Sequence, residues 1–169
     1  LDFDQLNGVP VALDPVRVSS ETFGTRLAGE RPLSKLKMAY AATFARQSDY
    51  GSNPVSFDLD YYSVELTGTY RQYSLTLGQE VMEGNGTVGF STPLATMHKF
   101  HGWADKFLTT PANGIDDKYV SVGYLAKGVA MLDTLSATVV YRNFESERLS
   151  QDLGDEVDLQ LQAKYQRFV

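Results

Sequence analysis

Apolar and polar residues alternate with a period of two in seven separate segments of this chain, and no other feature constrains the fold as tightly. Leu36, Met38, Tyr40, Ala42 and Phe44 take one parity, and Lys37, Ala39, Ala41, Thr43 and Ala45 the other. Tyr62, Val64, Leu66, Gly68 and Tyr70 alternate with Ser63, Glu65, Thr67 and Thr69. Val157, Leu159, Leu161, Ala163 and Tyr165 alternate with Asp158, Gln160, Gln162 and Lys164. The same rhythm runs through 73–81, 120–124 and 135–142, and more weakly through 19–28. Successive side chains of a strand point to opposite faces, so each segment reads as a strand with one apolar and one polar face. The expected fold is all-β, an antiparallel up-and-down sheet of about seven strands.

The connections carry a second regularity. Those at 29–35, 71–72 and 127–134 are short, whereas those at 46–59, 82–117 and 143–156 are long and polar. Alternate connections of an up-and-down sheet fall at opposite ends, so all short turns share one end and all long loops the other. Outer-membrane barrels have this asymmetry, with short periplasmic turns and long external loops. The runs of about 9–12 residues also suit a tilted spanning strand, which needs roughly 9–11. Tyr70 and Tyr73 flank one short turn, and Phe44, Tyr62, Tyr141 and Tyr165 lie near other strand ends. There a ring can sit at the lipid–water boundary with its polar atom wet.

The resulting expectation is a segment of a transmembrane β-barrel whose polar parity lines a hydrated lumen. By parity the pore-lining candidates are Arg26, Lys37, Glu65, Thr67, Thr76, Glu80, Arg142, Asp158, Gln160 and Lys164. Seven is an odd number, and single-chain bacterial outer-membrane barrels are even. The single domain, 1–169, therefore reads as part of a larger barrel, with 1–18 (Gly8, Pro10, Pro15) a loop-like N-terminal segment. Two other readings fit the alternation. One is a soluble ligand-binding barrel or sandwich with Leu66, Leu75, Val122 and Leu161 around an apolar cavity. The other is a surface-structural barrel that presents acidic external loops. Against a packed core, isoleucine occurs once, at Ile115, while the polar parity is rich in Thr, Ser, Gly and Gln.

Composition removes several function classes. With 15 Lys and Arg against 21 Asp and Glu, the net charge of −6 argues against a nucleic-acid partner. Cysteine is absent, which excludes disulfides, thiolate ligands and a thiol nucleophile. The longest apolar run, 38–45, falls far short of the roughly 20 residues of a membrane helix. Leu1 opens an acidic stretch with no basic region or apolar block behind it. The chain therefore reads as cytosolic, already processed, or cut from a longer protein. Gly84-Asn85-Gly86 has no Lys-Ser/Thr after it and is not a phosphate loop. Asp49, Asn53, Asp58 and Asp60, like Asp116-Asp117 and Asp152/Asp155, offer oxygen ligands but lack the spacing of a calcium loop, and read as solvated external residues beside lipopolysaccharide. No GxSxG is present and both histidines lie in one connection, so neither an enzyme nor a catalytic residue is assigned.

That connection, 82–117, is long enough to have a function of its own. The spacing of Leu94, Met97, Phe100, Trp103 and Phe107 predicts short helical structure over 94–108. On such a helix His98, His101 and Asp105 would share a face, but the segment lacks the HExxH arrangement. They are read as polar contacts, with no metal and no cofactor. Folded into the lumen, the segment is expected to act as a constriction or plug. His98, Lys99, His101, Asp105 and Lys106 would then narrow and charge the passage.

The string FSTPLATMHKFHGWADKFLTTPANGIDDKYVSVG at 90–123 resembles the alginate-export family of Gram-negative outer-membrane porins, most specifically at GWADKFLTTPANG. The stretch from Ser20 to Tyr70, beginning SETFGTRLAGERPLSKLKMAYAATFARQ, is similar to the same family. The resemblance implies a monomeric barrel of many strands, of which this chain supplies about half, set in the outer membrane. It further implies passive passage of small or anionic solutes, uronates or other saccharides among them. The partners it implies are the lipid bilayer and lipopolysaccharide. Arg26, Lys37, Arg142 and Lys164 share the expected lumen with Glu65, Glu80 and Asp158.

Overall fold

The computed structural model describes residues 19–51, 53–92 and 100–165. The expected N-terminal segment 1–18 and the last residues, 166–169, lie outside the described residues. Seven strands follow in order: β1 (Ser20–Leu33), β2 (Leu36–Asp49), β3 (Asp58–Tyr70), β4 (Tyr73–Met82), β5 (Ile115–Val129), β6 (Leu132–Glu145) and β7 (Asp152–Lys164). They form one sheet in sequential order, each antiparallel to its neighbours. β1 and β7 remain its edges, so the sheet is open among the described residues.

Three turns close one end, at 34–35, 71–72 and 130–131. Each starts with a residue in the left-handed region: Ser34 (φ 59°), Arg71 (φ 54°) and Ala130 (φ 54°). The three longer connections leave from the other end, after Asp49, Met82 and Glu145. Several boundaries depart from expectation, two of them most clearly. Gly29 and Pro32 predict that β1 stops near Ala28, yet it continues to Leu33 and pairs Pro32 with Lys37. An edge strand tolerates proline because its missing N–H can face away from the ladder. The expected 143–156 loop contracts to 146–151, since the acidic start of β7 still pairs with β6. A register shift at Phe144/Glu145 absorbs the irregularity opposite Gly154, whose φ of 105° suits glycine.

Helical structure over 94–108 is corrected where it is described. Residues 100–108 are bends and turns, and 94–99 lie outside the described residues. His101 (φ 53°), Gly102 (φ 95°) and Asp105 (φ 54°) take left-handed conformations that a right-handed helix cannot include. No helix among the described residues is long and apolar enough to cross a membrane, which says nothing of a β-barrel.

The register puts every parity-assigned polar residue on one face and the apolar parity on the other. The apolar face is the open one. Phe23, Leu66, Leu75, Val122, Leu159 and Leu161 are all exposed. The polar face is concave. Arg26 on β1 and Arg142 on β6 line one cavity of about 230 Å³, although flat strands would hold them about 24 Å apart. The main cluster of buried apolar side chains lies at the loop end of the concave face. There Leu59, Met82, Ile115 and Phe144 from four strands meet Phe90 of the long connection, with Phe100 and Phe107 against them.

Candidate functional site

Two transverse rows of paired residues build the site on the concave face. One crosses the sheet as Ala28, Ala41, Glu65, Gly78, Tyr119, Arg142 and Glu156. The next, nearer the loops, runs Arg26, Thr43, Ser63, Glu80, Asp117 and Phe144. Small residues in the first row make room for large ones. Gly78 has no side chain, so the Tyr119 ring lies across it and donates its hydroxyl to Glu65 at 2.7 Å. The Arg142 guanidinium covers the other side of that ring, 4.5 Å from its centre, a cation–π distance. Arg142 also pairs with the fully buried Asp117.

In the second row two carboxylates, Glu80 and Asp117, stand directly opposite each other. Like charges so placed repel. Tyr61 eases the repulsion by donating its hydroxyl to Glu80 Oε1 at 2.7 Å, and Arg142 by pairing with Asp117 Oδ2. Between them the long connection inserts His101, 1% exposed. Its Nδ1 lies 3.8 Å from Glu80 Oε2 and 3.8 Å from Asp117 Oδ2. Neither ring nitrogen has a hydrogen-bond partner.

Backbone clasps hold the connection in this position. Buried Gln47 on β2 donates Nε2 to the Ser91 carbonyl at 2.9 Å, and its Oε1 accepts the Ser91 N–H at 2.8 Å. The same amide nitrogen donates to Thr22 Oγ1 at 3.0 Å. At the far side Glu156 Oε1 accepts the N–H groups of Trp103 (2.5 Å) and Ala104 (3.1 Å). Gly102 lies so close to that carboxylate that a Cβ would meet it.

Of the expected pore-lining residues, Arg26, Glu65, Glu80 and Arg142 come together in the 230 Å³ cavity, with Ala41, Tyr61, Ser63 and Tyr119. Arg26 Nη1 donates to Thr43 Oγ1 at 2.9 Å. Thr67 and Thr76 share a hydrogen bond of 2.8 Å on the same face. Lys37 sits near the turn end and pairs with Glu30 at 2.6 Å. Asp158 is half-buried on β7, while Gln160 and Lys164 are exposed there. In the long connection His101 is buried, Asp105 half-buried and Lys106 exposed. His98 and Lys99 lie outside the described residues. Asp117, Tyr61, Tyr119, Gln47 and Glu156 belong to the site although parity did not single them out. Extending the alternation of β5 back through Tyr119, Asp117 and Ile115 would have found the first and third.

Comparison with protein-family models, with curated proteins and with solved structures gives no match.

Proposed function

We propose that this chain forms part of an outer-membrane channel that passes small or anionic solutes, uronates or other saccharides among them. Passage is by passive diffusion through a charged, hydrated pore. The observation that carries this reading is the disposition of the two faces. Leu, Val and Tyr cover the open face, and Arg, Glu, Thr and Ser line the concave one. Lipid stabilises such a surface, whereas water penalises contiguous apolar patches beyond a few hundred Å². A soluble ligand-binding barrel requires Leu66, Leu75, Val122 and Leu161 inside, and all four are exposed. Further strands pairing with the open edges of β1 and β7 would complete a barrel. The resemblance of 90–123 to the alginate-export porins supports the choice of an anionic saccharide as solute.

The test is conductance of the full-length protein in a planar bilayer, with and without uronate oligosaccharide. Stepwise conductance blocked by the sugar is expected. Conductance indifferent to the sugar keeps the channel and removes the solute. A monodisperse protein in plain buffer with no conductance favours the soluble barrel.

A further inference from the structure

We propose that Glu80, His101 and Asp117 form a binding site for one divalent transition-metal ion of the zinc class, tying the long connection to the sheet. Their ligand atoms lie within 4.8 Å of one another, and all three residues are buried. Two independent observations point to a cation there. First, Glu80 and Asp117 are direct cross-strand partners, so the fold forces two carboxylates together at a dry position. Arg142 supplies one positive charge, and the pair still carries one in excess. Second, the His101 ring is held between them with both nitrogens unpartnered, although burying an unpaired polar atom is costly.

Distances separate a metal from a simple imidazolium bridge. A charge-assisted hydrogen bond would draw Nδ1 to about 2.7–2.9 Å from a carboxylate. The observed spacing is 3.8 Å to both oxygens at once. With Nδ1 3.8 Å from each carboxylate oxygen and all ligand atoms within 4.8 Å of one another, an ion equidistant from the three would lie about 2.0–2.5 Å from each, a range that includes zinc–nitrogen and zinc–oxygen bond lengths. One imidazole with two carboxylates suits zinc, whereas calcium and magnesium favour all-oxygen sets. The outer shell is also present. Tyr61 holds Glu80 through Oε1 and leaves Oε2 for the ion, while Arg142 fixes Asp117 through Oδ2, the oxygen that also faces His101. Water would complete the coordination.

Titration of the full-length protein in detergent with zinc, read by calorimetry, tests the site. One ion per chain is expected. His101→Gln should weaken binding by more than about 100-fold, since even loss of an outer-shell partner costs roughly 10–100-fold. Glu80→Gln, which keeps the shape of the side chain, should do likewise. If both variants misfold, X-ray absorption of the zinc-loaded wild type decides. Imidazole nitrogen and carboxylate oxygen at about 2.0–2.2 Å uphold the site. Failure of the wild type to bind zinc overturns it, as does unchanged affinity in a folded His101→Gln protein or a spectrum without imidazole. Because the readout is metal binding, its failure is distinguishable from failure of the channel reading, which conductance tests.

Discussion

Arg26 and Arg142 line the same cavity but stand in different surroundings, and that decides which of them can test the proposed pore. Arg142 neutralises buried Asp117 and covers the Tyr119 ring. Reversing its charge strands a carboxylate in a dry place, at a cost of about 3–5 kcal/mol, so that variant reports folding. Arg26 donates to Thr43 from an exposed position. Arg26→Glu is therefore expected to fold normally and to move the reversal potential toward cation selectivity, measured under a salt gradient in a planar bilayer. An unmoved potential would take Arg26 off the solute's path. Gly78 makes the second prediction at this scale. A Cβ there collides with the Tyr119 ring, which Glu65 holds at its hydroxyl and Arg142 covers on its face. Gly78→Val should cost about 1–3 kcal/mol, the usual price of overpacking, read as a lowered denaturation midpoint. The cost should shrink when Tyr119→Ala is added, because the second change removes the clash.

The long connection is anchored at its two flanks by single side chains, so each anchor governs a whole element. Gln47 is the sharper case, because it satisfies both backbone groups of Ser91. Gln47→Ala leaves those groups without their partner at about 1–3 kcal/mol each. The expected result is faster amide exchange around Ser91, with exchange in the β3–β4 ladder unchanged. Equal acceleration in both would mean that the connection and the sheet open as one unit. Elements were also where the sequence was most legible. Strict alternation located all seven strands, because a sheet with one polar and one apolar face leaves no other period available. The ends of β1, β5 and β7 were misjudged where Pro32 or a run of acids resembles turn composition. Asp117 was lost from the site for that reason, since a strand begun at Val120 leaves it in a loop. His101 was legible as a candidate but not its partners. Local spacing suggests His98 and Asp105, while Glu80 and Asp117 approach it only through pairing of β4 with β5.

At the scale of the whole molecule, the sheet's handling of its two faces is the property on which function turns. The alternation is the same for a barrel that faces lipid and one that encloses an apolar core, so pattern alone cannot orient it. The curvature of the sheet places Arg26 and Arg142 around one cavity and leaves Leu66 exposed on the other face. Neighbouring positions on β3 then give opposite expectations. Leu66 pairs with Tyr40 and Leu77 on the open face, and Thr67 with Ala39 and Thr76 on the concave face. Leu66→Arg should impair insertion, by roughly 2–4 kcal/mol if the residue lies at the bilayer midplane. Thr67→Arg should insert normally and alter conductance, because its charge enters hydrated space. Refolding into lipid vesicles, followed by the heat-dependent gel shift of folded barrels, measures the first effect, and single-channel recording the second. If Leu66→Arg instead folds well and Thr67→Arg does not, the apolar face is the inside, and a soluble barrel replaces the channel. A single pair of adjacent residues thus decides the orientation of all seven strands, because the register couples each strand's faces to its neighbours'.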